Sequence, residues 1–267
     1  MQDLIQIKFI QNSLLACLFG GAGLSIIGVY ITLMEMPFMG ISMSHSAFLG
    51  AVGGLLFGMD PVLGALVLCA LTGVIIGPLA DRTDSSTNNI LAIIFTATMG
   101  LAFLLLSFIP GPKSEALNLI WGSILTISRR EIVFLIIAVS ITIALVLFNF
   151  KKLAAVMFNR EIAATCGISE RLYFYGLIFI SGMIISASLE IVGGLLLFSL
   201  LINPANAAKQ LTYSLRYIFL LSASFGVGSC LIGLFLSYLF NVPTGAVIVL
   251  TTTMIYLLSV LITAGRK

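Results

Sequence analysis

The sequence predicts an all-α polytopic membrane protein with about nine transmembrane helices, one of them short or broken. Three observations carry that prediction. The residues are 60% hydrophobic and 9% charged, whereas soluble domains carry about 25% charged residues. The mean hydropathy is +1.19. The few charges are bunched, and the uncharged windows between them match the roughly 20 apolar residues a helix needs to cross a bilayer.

Taken in order, Ser13 to Met34, Met36 to Met59, Pro61 to Ala80, Ile90 to Pro112 and Ile132 to Phe150 are each uncharged and long enough for one helix. Leu172 to Ala208, interrupted only by Glu190, approaches two spans but is tight for them. Tyr217 to Gly265 carries no charge and contains Asn241-Val242-Pro243-Thr244-Gly245. That is a turn sequence, so the window divides into two helices. The chain therefore reads as a single transmembrane domain over 1–267. Its first apolar segment is too long, and its flank too weakly basic, for a cleaved signal peptide. Cys17, Cys69, Cys166 and Cys230 are scattered with no CxxC pair, which suggests neither a disulfide framework nor a thiolate metal site.

Nine spans put the termini on opposite sides of the membrane. With the amino terminus outside, the inner loops hold nine Lys and Arg residues and the outer loops four: Lys8, Lys113, Arg129 and Arg130. The positive-inside rule then favours amino terminus out and carboxyl terminus in. The largest inner segment is the cytoplasmic loop 151–171, KKLAAVMFNREIAATCGISER, with no room for a soluble catalytic domain. No GxxxxGK[ST] occurs, nor any Gly-Lys pair, so a phosphate-cradling loop is absent from the sequence. Nothing in it points to nucleic acid.

Within that loop, Glu161 precedes Ala163, Ala164 and Gly167, small residues at i, i+1 and i+4 that read as one face open to close approach. The segment resembles the coupling helix of ABC importer permeases. Three others resemble the manganese, zinc and iron branch of those permeases. Trp121-Gly122-Ser123-Ile124-Leu125 with Ser128 is similar to that branch's short outer segment. Val192-Gly193-Gly194 running into Leu200-Leu201-Ile202-Asn203-Pro204-Ala205-Asn206-Ala207-Ala208 is similar to its most recognisable stretch. Met36-Pro37-Phe38-Met39-Gly40 leading to Ser44-His45-Ser46-Ala47 is similar to its Gly-Asp-x-x-Ser-His-Ala segment. The four lie in the right order and span about residues 34 to 263.

The resemblance implies a transport subunit rather than an enzyme. Two permeases, here a pair of identical chains, would flank one pathway across a bacterial inner membrane, with no tightly bound cofactor. Each would dock an ATP-binding subunit through Glu161, Ala163, Ala164 and Gly167. A solute-binding protein would deliver a divalent ion, Mn, Zn or Fe. The sister branch that imports iron chelates, haem or cobalamin shares the coupling loop and the closing turn at Pro243-Thr244-Gly245, but its chains run longer. A secondary transporter would show an internal repeat, and none is convincing here.

One departure from the family matters. The aspartate that usually lies four residues before the histidine is Ile41 here. A helical turn would put such a carboxylate beside the imidazole, a pairing suited to a divalent ion. Glu190 is the candidate replacement. An intramembrane carboxylate faces water or a partner, so Glu190 either faces the pathway with His45 as a transient metal site or is solvated in the outer headgroup zone. His45, the single histidine, is either such a ligand or a neutral imidazole hydrogen-bonded to Ser44, Ser46 or a backbone carbonyl. Met36, Met39 and Met43 share a face, but thioethers more often fill packing gaps. Gly50, Gly54 and Gly58 form a GxxxGxxxG ridge, expected to grip a neighbouring helix. Asn203 and Pro204 are expected to interrupt a helix near its inner end, as an inner gate or as a simple helix terminus. Arg129 and Arg130, beside Glu131, are either a solvated pair or docking points for the solute-binding protein.

Overall fold

The computed structural model describes residues 8–82, 86–109 and 128–265. Among these residues there are ten helices: α1 (Lys8–Leu33), α2 (Phe38–Leu56), α3 (Pro61–Arg82), α4 (Thr87–Phe108), α5 (Arg129–Phe158), α6 (Arg160–Thr165), α7 (Glu170–Val192), α8 (Gly194–Leu211), α9 (Leu215–Phe240) and α10 (Thr244–Ala264). Eight are long and apolar enough to cross a membrane. The ninth long helix, α8, is separated from α7 by Gly193 alone, whose φ of 77° suits glycine. This is the expected short or broken element. No strand occurs among the described residues.

Local chemistry sets the helix ends. Asp60 accepts a hydrogen bond from the Val62 amide at 2.9 Å, with Pro61 in the first helical position of α3. Ser128 caps the start of α5: its hydroxyl accepts from the Glu131 amide and donates to the Glu131 carboxylate. Asn241 closes α9 in the left-handed region. Exposed Tyr217 and Tyr238 lie 21 residues apart on α9, about 31 Å by helical rise. That separation suits aromatic anchors at the two faces of a hydrocarbon core about 30 Å thick.

Small residues bring the core helices together. Antiparallel α1 and α9 meet at Gly21 and Gly226, where a Cβ on Gly21 would fall 2.9 Å from the Gly226 carbonyl oxygen. One turn on, Ser222 Oγ donates to the Ser25 carbonyl at 2.9 Å. On α2, Gly50 abuts Gly64 and Gly54 abuts Asp60 and Pro61. Gly58 does not extend this ridge as expected. The helix stops at Leu56, and Gly58 turns the chain at φ 67°. The methionine stripe proves to be packing: Met36, Met39 and Met43 are all buried.

Candidate functional site

His45 lies near the middle of α2, one of the most enclosed spans. Its neighbours do not satisfy it. Ser44 Oγ donates to the Gly40 carbonyl at 2.7 Å and Ser46 Oγ to the Ser42 carbonyl at 2.9 Å, so both hydroxyls serve their own helix. The imidazole is half-buried, and its Nδ1 is fully shielded with no hydrogen-bond partner among the described residues. A shielded polar atom left unpaired costs about 1–3 kcal/mol. The ring leans on Phe95 of α4, centroids 4.8 Å apart. Ile41, one turn earlier, shares that face by helical spacing. An imidazole nitrogen held there without a partner can accept a proton, water or a metal ion.

Gly40 of α2 and Gly28 of α1 both abut Leu201 of α8. His45 is five residues beyond Gly40, roughly 7 Å along the axis. The α7–α8 break at Gly193 is eight residues from Leu201, roughly 12 Å. α1 runs parallel to α8 and antiparallel to α2, so both lie toward the same end of the bundle. The break carries Glu190 in the last turn of α7, between buried Leu189 and Ile191. The Glu190 side chain lies outside the described residues. Among the described residues, no three His, Cys, Asp or Glu side chains gather into a metal cage.

Asn203 and Pro204 do not interrupt α8, which runs on to Leu211. Pro204 has no N–H for the Leu200 carbonyl, and Ser25 Oγ of α1 supplies that missing bond at 3.2 Å. The helix thus passes through proline because a neighbour repairs it. Asn203 Nδ2 lies 3.1 Å from Thr252 Oγ1, 3.2 Å from Thr253 Oγ1 and 3.3 Å from Ser199 Oγ. It works as a clamp between α8 and α10.

The 151–171 loop is largely helical. α5 continues through Lys151 and Lys152 to Phe158, and Asn159 then caps α6 by accepting from the Ile162 amide at 3.0 Å. Arg160 pairs with Glu170 of α7 at 2.8 Å and lies over the Phe174 ring at 4.0 Å, which anchors α6. The expected small-residue face is split. Ala163 is buried against its own chain, while Glu161, Ala164 and Gly167 are exposed. Six residues give the helix fewer than two turns, and Gly167 leaves it at φ 76°. Phe158 and Ile162 are exposed beside them and were not singled out from sequence. At the opposite end, Arg129 is exposed and Arg130 pairs with Asp60 at 2.8 Å. The 121–125 segment lies outside the described residues.

Residues 6–263 match the model of a family described as the ABC 3 transport family. The manganese transport system membrane protein MntC of Listeria monocytogenes is 28% identical over 261 residues, covering 98% of this chain and 93% of MntC. The manganese import system permease protein ScaB of Streptococcus gordonii is 28% identical over 268 residues, 100% of this chain and 96% of ScaB. A solved structure of PsaBC from Streptococcus pneumoniae in complex with Fab is similar at TM-score 0.86 and 26% identity, over 97% of this chain and 93% of that one.

Proposed function

The chain belongs to the ABC 3 transport family, and from that premise we propose that it is the permease subunit of an ATP-driven importer of a divalent metal ion, manganese first, with zinc and iron as the further candidates. It is a multi-pass protein of the bacterial inner membrane. The observation that carries the metal reading is the unpartnered Nδ1 of His45 on an enclosed span. Its relatives MntC and ScaB are manganese proteins by name, which sets the order of the candidates.

One imidazole is too few ligands for a divalent ion. The remainder come from Glu190 and from the matching positions of a second permease copy. α10 and α4 are the least covered spans of the isolated chain and supply the faces for that copy. Glu161, Ala164 and Gly167, joined by Phe158 and Ile162, form the surface for a separate ATP-binding subunit, with Ala163 holding α6 from beneath. Arg129 and Arg130 face the solute-binding protein at the other end. Asn203 and Pro204 form the inner gate through the α8–α10 clamp.

Elemental analysis of cells with and without the transporter, for manganese, zinc, iron and copper, tests the reading. His45→Ala and Glu190→Gln are run beside the wild type at matched expression. Loss of manganese accumulation in both variants is the expected result. Uptake surviving both substitutions refutes the His45–Glu190 site. No response by any metal refutes the cargo and moves the assay to chelated iron and cobalamin.

A further inference from the structure

α3 and α5 both pack along α7 but barely touch each other. Between them runs a fissure of about 550 Å³ with Ala187 of α7 on its floor. Leu63 and Leu66 form one wall and Val133 and Ile137 the other. Leu63, Val133 and Ile137 are half exposed, so the slot opens sideways into the hydrocarbon. At its head stand Asp60, Arg130 and Glu131, with Arg130 bridging to Asp60 across the gap. The walls are apolar throughout; the head carries one cation and two carboxylates.

We infer that this fissure holds one phospholipid whose headgroup carries both a phosphate and a primary ammonium, its acyl chain lying between α3 and α5. A slot open to the bilayer that stayed empty would forfeit the dispersion contacts of its whole lining. A partner helix about 10 Å across takes up roughly 400 Å³ per turn, so the slot would seat little more than one turn of it. A flexible chain fits a narrow groove beneath a polar rim. The rim matches the headgroup sign for sign. A guanidinium has five N–H donors, more than one carboxylate engages, and its fork suits a phosphate. The Asp60 and Glu131 carboxylates accept from an ammonium, which has three N–H donors; a trimethylated amine has none to give.

The test is native mass spectrometry of the purified full-length chain titrated separately with phosphatidylethanolamine, phosphatidylcholine and phosphatidylglycerol. One phosphatidylethanolamine per chain is expected, bound about tenfold more tightly than the other two, the scale of one charge-assisted hydrogen bond. Glu131→Gln, which removes an acceptor for the ammonium, narrows the preference; Arg130→Ala, which removes the phosphate partner, weakens retention of all three; and Ala187→Phe, which fills the floor, abolishes it. Equal affinity for the three headgroups overturns the inference. So does retention unchanged by Arg130→Ala, an exposed substitution that decides the matter even if Ala187→Phe fails to fold. Retention by monomer but not by dimer would assign the slot to a second copy of the chain, and overturns it equally.

Discussion

Gly28→Ala should destabilise this protein more than its single added methyl suggests. A Cβ at Gly28 would fall 2.7 Å from the carbonyl carbon of Leu201 and 3.1 Å from its Cα, with the carbonyl oxygen nearer still. Carbon atoms pack best at about 3.5–4.0 Å, so the α1–α8 crossing must open by roughly 1 Å. The obstacle is helix backbone, which cannot rotate aside as a side chain would. Overpacking costs about 1–3 kcal/mol, and a rigid obstacle puts this site at the upper end. Alanine recovers about 1 kcal/mol of helix propensity. The net loss is about 2 kcal/mol, a factor of roughly 30 in the unfolding equilibrium. Denaturant unfolding in detergent micelles measures it. Gly228→Ala is the control, because nothing lies within 4 Å of its added Cβ, and it should be neutral or slightly stabilising. If the two variants unfold together, backbone contact at Leu201 does not hold α1 against α8 and the reasoning fails.

The orientation has a direct assay. Cys166 is exposed and Cys17, Cys69 and Cys230 are buried, so a membrane-impermeant maleimide should label the wild-type chain at Cys166 in inside-out vesicles and not in right-side-out ones; the reverse pattern would invert the proposed topology. Asn203→Leu removes the α8–α10 clamp and should cost about 1 kcal/mol, since interhelical hydrogen bonds in membranes average about 0.6 kcal/mol each and the amide has two N–H donors; unchanged denaturant unfolding would mean the threonines satisfy one another without it.

The spans were legible because bilayer thickness imposes a length that composition reveals directly. The α7–α8 break was legible too, since Gly193-Gly194 falls within a window too tight for two full helices. What escaped depended on which residues face each other across helices. Pro204 alone predicts an interruption. The bond that averts it comes from Ser25, 175 positions from the carbonyl it serves, and no local pattern announces that pairing. Ala163 and Ala164 looked equivalent because six residues are too few for periodicity to mark an inner and an outer side. The cap at Ser128 has a local signature, Ser-Arg-Arg-Glu, because both of its partners lie within three residues. His45 is legible as the single histidine of the sequence. Its missing partner became visible only once Ser44 and Ser46 were seen bonded to their own backbone.

The hydrogen bonds between helices are unevenly spread through the described residues. α1, α8, α9 and α10 are joined by the Ser25–Leu200 and Ser222–Ser25 bonds, the Asn203 clamp and the Gly28 and Gly226 crossings. Moving any one of them breaks hydrogen bonds in a medium that offers no water in exchange. α4 is different. Among the described residues it packs on α2 and marginally on α3, and Asn88 ties its start to the Glu35 carbonyl at 2.8 Å. Among the described residues no hydrogen bond joins α2 directly to α4; His45 of α2 leans on Phe95 of α4. Sliding α4 therefore costs dispersion contacts but few hydrogen bonds.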